Sequence, residues 1–310
     1  DSTKGWLPLE DDVAADEPAV VRNTQGIFGY GSTGSNVSLT NLVNSSGVVA
    51  SDVSGVGTAR SLLAACGYGG DKGIFAYGYT SSNVSMSNLV NSSGGVASDV
   101  TGVGTARQGP AACDYGTDKG IFAYGHTDDK VSMSNLVSNS GVIATDVTGV
   151  GTARAYLGAC EYSLDKGIFA YGYIGGGSPV VSMSNLVSNS GVIATDVTGV
   201  GTARYDAEAT PYGGDKGIFA YGRVDPTSLS MSNLVSNVGV IASDVTGVGT
   251  ARSAFAACGY GTDKGIFGYG RSQAAAYLSL TNLVSNSGVV ASDVSGVGTG
   301  RLNLAACSFN

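Results

Sequence analysis

The chain has 310 residues, enough for one large β domain or two ordinary ones. Its formal net charge is −8, only 13% of residues are charged, and no basic face is visible to displace counterions from nucleic-acid phosphates. No apolar run approaches the roughly 18 residues of a membrane helix, and an apolar content of 43% argues against disorder.

Residues 1–22 are acidic at their start, carry the only tryptophan, Trp6, next to Leu7, and have no counterpart later in the chain. They are expected to form an extended arm that anchors the rest in a larger assembly. From residue 23 to 310 one theme repeats. The phrase Gly-Ile-Phe-Ala/Gly-Tyr-Gly begins at Gly26, Gly73, Gly120, Gly167, Gly217 and Gly265, at intervals of 47, 47, 47, 50 and 48 residues. Such self-similarity is the signature of a repeat architecture.

The second copy shows the unit. Residues 61–68 read as a strand of mostly small apolar residues, and the Gly-Gly-Asp-Lys turn at 69–72 suits a tight hairpin. Residues 73–79 read as a second strand carrying bulky aromatics. Residues 84–90 alternate apolar and polar, a third strand. After the turn at 91–94, residues 96–100 form an expected fourth, and 102–107 lead into the next unit. Four short antiparallel strands per repeat imply an all-β fold of propeller type. Glycine, at 49 residues, has more than twice its usual share of about 7%, which suits many tight turns.

Cys66, Cys113, Cys160, Cys258 and Cys307 occupy one repeat position, and Thr210 takes it in the remaining copy. Equivalent positions in successive units are too far apart for a disulfide, so these thiols are expected to be free and buried. The last copy ends as a first strand with no second, and the first begins as a second strand with no first. Joining them regenerates one repeat, so the C-terminal strand is expected to complete the first unit and close a ring of six.

The order of arginine, small-apolar strand, Gly-rich turn, Gly-Ile-Phe-Ala-Tyr-Gly and Gly-Val-Gly-Thr-Ala-Arg resembles kelch-type repeats over residues 22–310. The chain departs from that pattern by lacking the Gly-Gly pair after the aromatic strand and the later Trp. The resemblance implies a six-bladed kelch-like β-propeller, a fold that hosts both enzymes and binding modules. The near-identical Gly/Ser/Asn/Val-rich repeats are also similar to those of bacteriophage virion and tail proteins.

Most repeat positions hardly change. Differences concentrate after the Tyr-Gly of the phrase and just after the repeat arginine. In a four-stranded meander both places fall at the same end of the sheets, whereas the Asp-Lys hairpins and Asn-Ser turns share the other. Variable loops on a constant scaffold point to recognition. The expected contact residues are Tyr79, His126, Tyr156, Tyr173, Tyr205, Arg223, Phe255, Arg271 and Tyr277.

Catalysis is poorly supported. A single histidine, His126, cannot build a Ser/His/Asp triad or a His metal cluster. The recurring Asp52, Asp99, Asp146, Asp196, Asp244 and Asp293 are expected to cap turns or pair with Arg60, Arg107, Arg154, Arg204, Arg252 and Arg301. No Asp-x-Asp-x-Asp-Gly loop suggests calcium, and no metal or cofactor is expected. The reading that results is a non-enzymatic attachment module of a virion or extracellular assembly, such as a phage tail or fibre, contacting a surface glycan or protein. Partners would include other subunits held through the arm, but neither nucleic acid nor an inserted membrane. A purely structural subunit is the first alternative. A carbohydrate-active enzyme drawing on Asp206, Glu208 and Asp225 is the second.

Overall fold

A computed structural model describes residues 23–176 and 180–310; the acidic arm with Trp6 and Leu7 lies outside the described residues. Among the described residues there is no helix. The strands begin with β1 (Gln25–Gly29) and β2 (Thr40–Val43). Then come β3 (Ala64–Tyr68), β4 (Lys72–Ala76) and β5 (Ser87–Val90), followed by β6 (Ala111–Tyr115), β7 (Lys119–Ala123) and β8 (Ser134–Val137). The next three are β9 (Gly158–Tyr162), β10 (Lys166–Ala170) and β11 (Ser184–Val187). The fifth group has β12 (Glu208–Tyr212), β13 (Lys216–Ala220), the two-residue β14 (Arg223–Val224) and β15 (Thr227–Ser228), and β16 (Ser232–Val235). The sixth has β17 (Arg252–Ser253), β18 (Ala256–Tyr260), β19 (Lys264–Gly268), β20 (Arg271–Ser272) and β21 (Thr281–Val284), and the chain ends in β22 (Ala305–Phe309).

These strands form six three-stranded antiparallel sheets, each with the aromatic strand in the middle, and two short two-stranded ones, β14 with β15 and β17 with β20. The C-terminal β22 pairs with β1, from Gln25 opposite Phe309 to Gly29 opposite Ala305, as the split repeat predicts. The first strands of neighbouring sheets contact one another in the cycle β22, β3, β6, β9, β12, β18 and back to β22. A backbone hydrogen bond accompanies every step. The amides of Gly69, Gly116, Ser163, Gly213, Gly261 and Asn310 donate to carbonyls of the following sheet at 2.7–3.0 Å, the last to Asp71.

The expected fourth strand is not a regular one. In the second repeat it touches β5 only through the bridge pairs Val90–Val96 and Ser87–Val100. Between these pairs β5 advances three residues and the outer segment four, so the ladder carries an extra residue and breaks like a bulge. The Asn88 amide fills the break by donating to the Ala97 carbonyl (3.0 Å) and to Asp99 (2.9 Å).

The aromatic strand is buried on both sides. Ile74, Phe75, Ala76 and Tyr77 have no solvent exposure, and neither do their counterparts in the other copies. Tyr30, Tyr77, Tyr124, Tyr171, Tyr221 and Tyr269 end the strand earlier than the sequence pattern implies, each at a left-handed φ of 55–67°. That twist turns each ring towards the next sheet, where it meets a phenylalanine edge-on: Tyr77 and Phe122 lie 5.4 Å apart, Tyr124 and Phe169 likewise.

All five cysteines are free and buried, and burial pushes their thiols up. Each sulfur fills the space above the first glycine of a neighbouring phrase, as Cys66 does over Gly120 and Cys113 over Gly167. A Cβ on Gly120 would lie well inside van der Waals distance of Cys66 Sγ. Replacing Gly120 by alanine is therefore expected to cost about 1–3 kcal/mol by overpacking, read as a lower urea midpoint. In a Gly120→Ala/Cys66→Ala double variant much of that loss should return.

The repeat arginines form the second intersheet device. All six are fully buried. Each guanidinium stacks on the phrase tyrosine of the preceding sheet, from 3.9 Å for Arg107 on Tyr77 to 4.3 Å for Arg60 on Tyr30. Arg107 also donates to Asn135 Oδ1 (2.7 Å) and the Thr105 carbonyl (3.1 Å). The expectation that these arginines pair with the repeat aspartates is met only at long range: Arg107–Asp146 is 4.0 Å and Arg154–Asp196 is 3.8 Å. The aspartates do cap turns. Asp52, Asp99, Asp146, Asp196, Asp244 and Asp293 each accept from a linker threonine hydroxyl at 2.6–2.7 Å. Partial burial would raise the Asp146 carboxyl, but Thr105, Asn135 and the charge of Arg107 hold it below the usual range.

Candidate functional site

The two variable segments of each repeat meet. The residue after each arginine bridges the residue after each Tyr-Gly, as in Ser61–Tyr79, Gln108–His126, Ala155–Tyr173 and Tyr205–Arg223, with Ser253–Arg271 in the short sheet of β17 and β20. Sequence separation kept these segments apart; the hairpin geometry of each sheet brings them to one end.

Neighbouring loops also hold each other. Asn36 Nδ2 donates to the Tyr79 carbonyl (3.0 Å), and Asn83 Nδ2 to that of His126 (3.3 Å). Lys130 lies 5.1 Å over the Tyr173 ring, and Gln273 Nε2 donates to the Pro226 carbonyl (2.8 Å). The loops thus form a rim of mutually supported segments.

Its densest part is aromatic. Tyr205 sits 5.6 Å from Tyr173 and 6.4 Å from Tyr156, ring to ring. Arg223 stacks on Tyr205 at 5.3 Å and pairs with Asp225, which also accepts from the Tyr205 hydroxyl (2.9 Å). Tyr79 and Tyr277 are exposed, at 36% and 43%. His126 and Arg271 are half-buried, and Gln108 Nε2 lies 3.1 Å from His126 Nδ1.

Phe255 is a correction. It is buried among Tyr221 and Phe267, at 5.4 and 5.9 Å, and has no surface to offer a partner. The loop residues 177–179 lie outside the described residues.

Inside the rim, the left-handed residues Leu62, Gly109, Tyr156, Asp206 and Asn303 carry backbone N–H groups that donate to neighbouring sheets at 2.7–3.0 Å. Below them lies a cavity to which all six sheets contribute, lined by alanines with Glu208 as the one charged side chain. Burial pushes Asp206 up to about 7 and Glu208 well above the usual carboxylate range. At the opposite end a second cavity is lined by Gly67, Asp114, Glu161, Pro211, Gly259 and Ser308, one from each first strand, with hairpin residues around them. There burial pushes Asp114 up to about 6 against the pull of the Gly67 N–H, 2.6 Å from its carboxylate.

The sequence names Glu208 only among the carboxylates of the enzyme alternative, because alternation along a strand does not say which side faces the cavity shared by the six sheets. Its substitution into a run of alanines and glycine was the available signal. Among the described residues no group of three His, Cys, Asp or Glu side chains could hold a metal ion, and no helix is long and apolar enough to cross a membrane. No family model matches the chain, and the curated proteins contain no similar sequence.

Proposed function

We propose that the chain is a six-bladed, kelch-like β-propeller serving as a non-enzymatic attachment module, with the variable rim as its recognition surface. One observation carries this reading: the segments that differ between repeats are bridged to each other at one end of every sheet, while the hairpins at the other end stay nearly constant. The closed cycle of first-strand contacts supports the propeller. The tyrosine cluster, with Arg223 and Lys130 stacked on it, is suited to a surface glycan or protein, since aromatic faces bind sugar rings and side chains at low entropic cost. A virion or extracellular assembly, of phage tail or fibre type, is the setting that fits the repeat composition.

The test is attachment of the labelled chain to candidate host surfaces and glycan arrays. Replacing Tyr79, Tyr173, Tyr205, Arg271 and Tyr277 together by serine should leave the circular-dichroism spectrum unchanged and reduce attachment at least tenfold. Attachment that persists at the original level in the folded variant would overturn the reading.

A further inference from the structure

Each unit ends in an outer segment that follows the third strand of its sheet. In the fifth unit the Ser236 N–H donates to the Val240 carbonyl (2.9 Å) and the Ala242 N–H to the Leu234 carbonyl (2.8 Å). Between those two bonds lies Ile241, opposite Val235. In an antiparallel pair a residue so placed points its own N–H and C=O away from the partner strand. Among the described residues no hydrogen bond reaches either group of Ile241. Its side chain is buried, and Val240 and Ala242 on either side of it are exposed.

Edges that must stay single are guarded by lysine, proline or other interrupting residues. Here that guard is thin. From residue 238 to 250 the only charged residue is Asp244, and its carboxylate is turned onto Thr202 Oγ1 (2.6 Å) and Asn233 Nδ2 (2.8 Å). What the edge carries is valine. Among the described residues, every strongly exposed large apolar side chain except Tyr79 and Tyr277 lies on an outer segment or the turn before it. The fifth unit is the most apolar. Its Val238, 69% exposed, stands where the other five units have Ser46, Ser93, Ser140, Ser190 and Ser287, and Val240 beside it is 62% exposed.

We propose that this edge pairs with the same edge of a second copy of the chain, Ile241 opposite Ile241 across a two-fold axis. Each Ile241 N–H then donates to the carbonyl of its counterpart, and Val240 of one copy lies against Ala242 of the other. Backbone groups aimed outward are satisfied by another strand edge, and a two-fold axis lets one short stretch serve both sides. Charge selects a copy that meets the chain here. Each molecule carries −8, so two of them approach best over a surface free of uncompensated charge. The segment leaves its ladder after Ala242 and rejoins it only where Val245 meets Ser232. That break keeps the straight stretch short and the dimer weak. The other units offer the same backbone with serine in place of Val238, and so pair more weakly still.

The test is sedimentation velocity on the full chain from about 5 to about 500 µM, with a dimer Kd expected near ~50 µM. The chain should be monomeric at the dilute end and mostly dimeric at the concentrated end. Val240→Lys, which places a charge on the edge, should raise Kd at least tenfold, and Val238→Ser at least threefold. Val142→Lys, the same change in the third unit, should leave Kd within about twofold. Circular dichroism checks that each variant folds. Should Val240→Lys fail to fold, hydrogen exchange on the unsubstituted chain decides. The Ile241 amide must slow at least threefold between the two concentrations, while the Ile143 amide keeps its rate. A monomer throughout, or equal losses in the two lysine variants, overturns the proposal. So does an Ile241 amide already slow at the dilute end, which would mean that the edge is covered within a single chain.

Discussion

Replacing Arg107 by alanine is expected to lower stability by about 3–5 kcal/mol, the range for a buried charged network that loses one member. The guanidinium is fully buried, covers the Tyr77 ring at 3.9 Å and donates to Asn135 and the Thr105 carbonyl. Its removal leaves a cavity between two sheets and strands those acceptors without partners, each at about 1–3 kcal/mol. Lysine is no substitute, because a point charge on a flexible stem cannot stack on the ring and reach two acceptors in one plane. Asp146→Ala should cost less. Its carboxylate keeps roughly a third of its surface exposed, and its distance to Arg107 is 4.0 Å. Urea denaturation of both variants checks the order. Equal losses would show that the ion pair, and not the stacking, holds the arginine.

Removing residues 302–310 should have the larger structural consequence. Those residues include β22, which completes the ladder on β1. They also supply Cys307, which fills the space over Gly73, and the Asn310 amide that donates to Asp71. Without them β1 becomes an open edge and the intersheet cycle is cut at one joint. Exposed edges pair with other chains, so the truncated chain is expected to run as dimers or larger species in size-exclusion chromatography and to melt without a single cooperative transition. A monomer with an unchanged transition would mean that the joint between the last and first repeats contributes little. A synthetic peptide of residues 302–310, added in excess, should restore the monomeric species by supplying the missing strand.

The same arginines show how far the sequence could be read. Their six-fold recurrence marked them as scaffold, but their partner was assigned to the aspartate, the nearest opposite charge in the repeat. The structure gives most of that role to the tyrosine of the preceding sheet, because the left-handed turn after the aromatic strand aims the ring across the gap. Charge is visible in a sequence; the direction of a ring at a strand end is not. Phe255 illustrates the same limit. It occupies a variable position and reads as a contact, yet its side chain fills a gap beside Phe267 that no pattern within its own repeat reveals.

What the sequence determined by itself is periodic. Repeat spacing, the middle position of the aromatic strand, the free cysteines and the pairing of the two chain ends all follow from six copies of one unit, since each depends on local pattern or simple counting. Tertiary structure decided what depends on neighbouring units: three regular strands per sheet instead of four, the tyrosine partner of each arginine, and the glycine under each sulfur. It also placed Glu208, which the sequence offers only as one carboxylate of an enzyme alternative, at a cavity shared by six sheets. Burial and solvation are set by atoms dozens of residues away in the chain, and only the closed packing of the strands brings those atoms together.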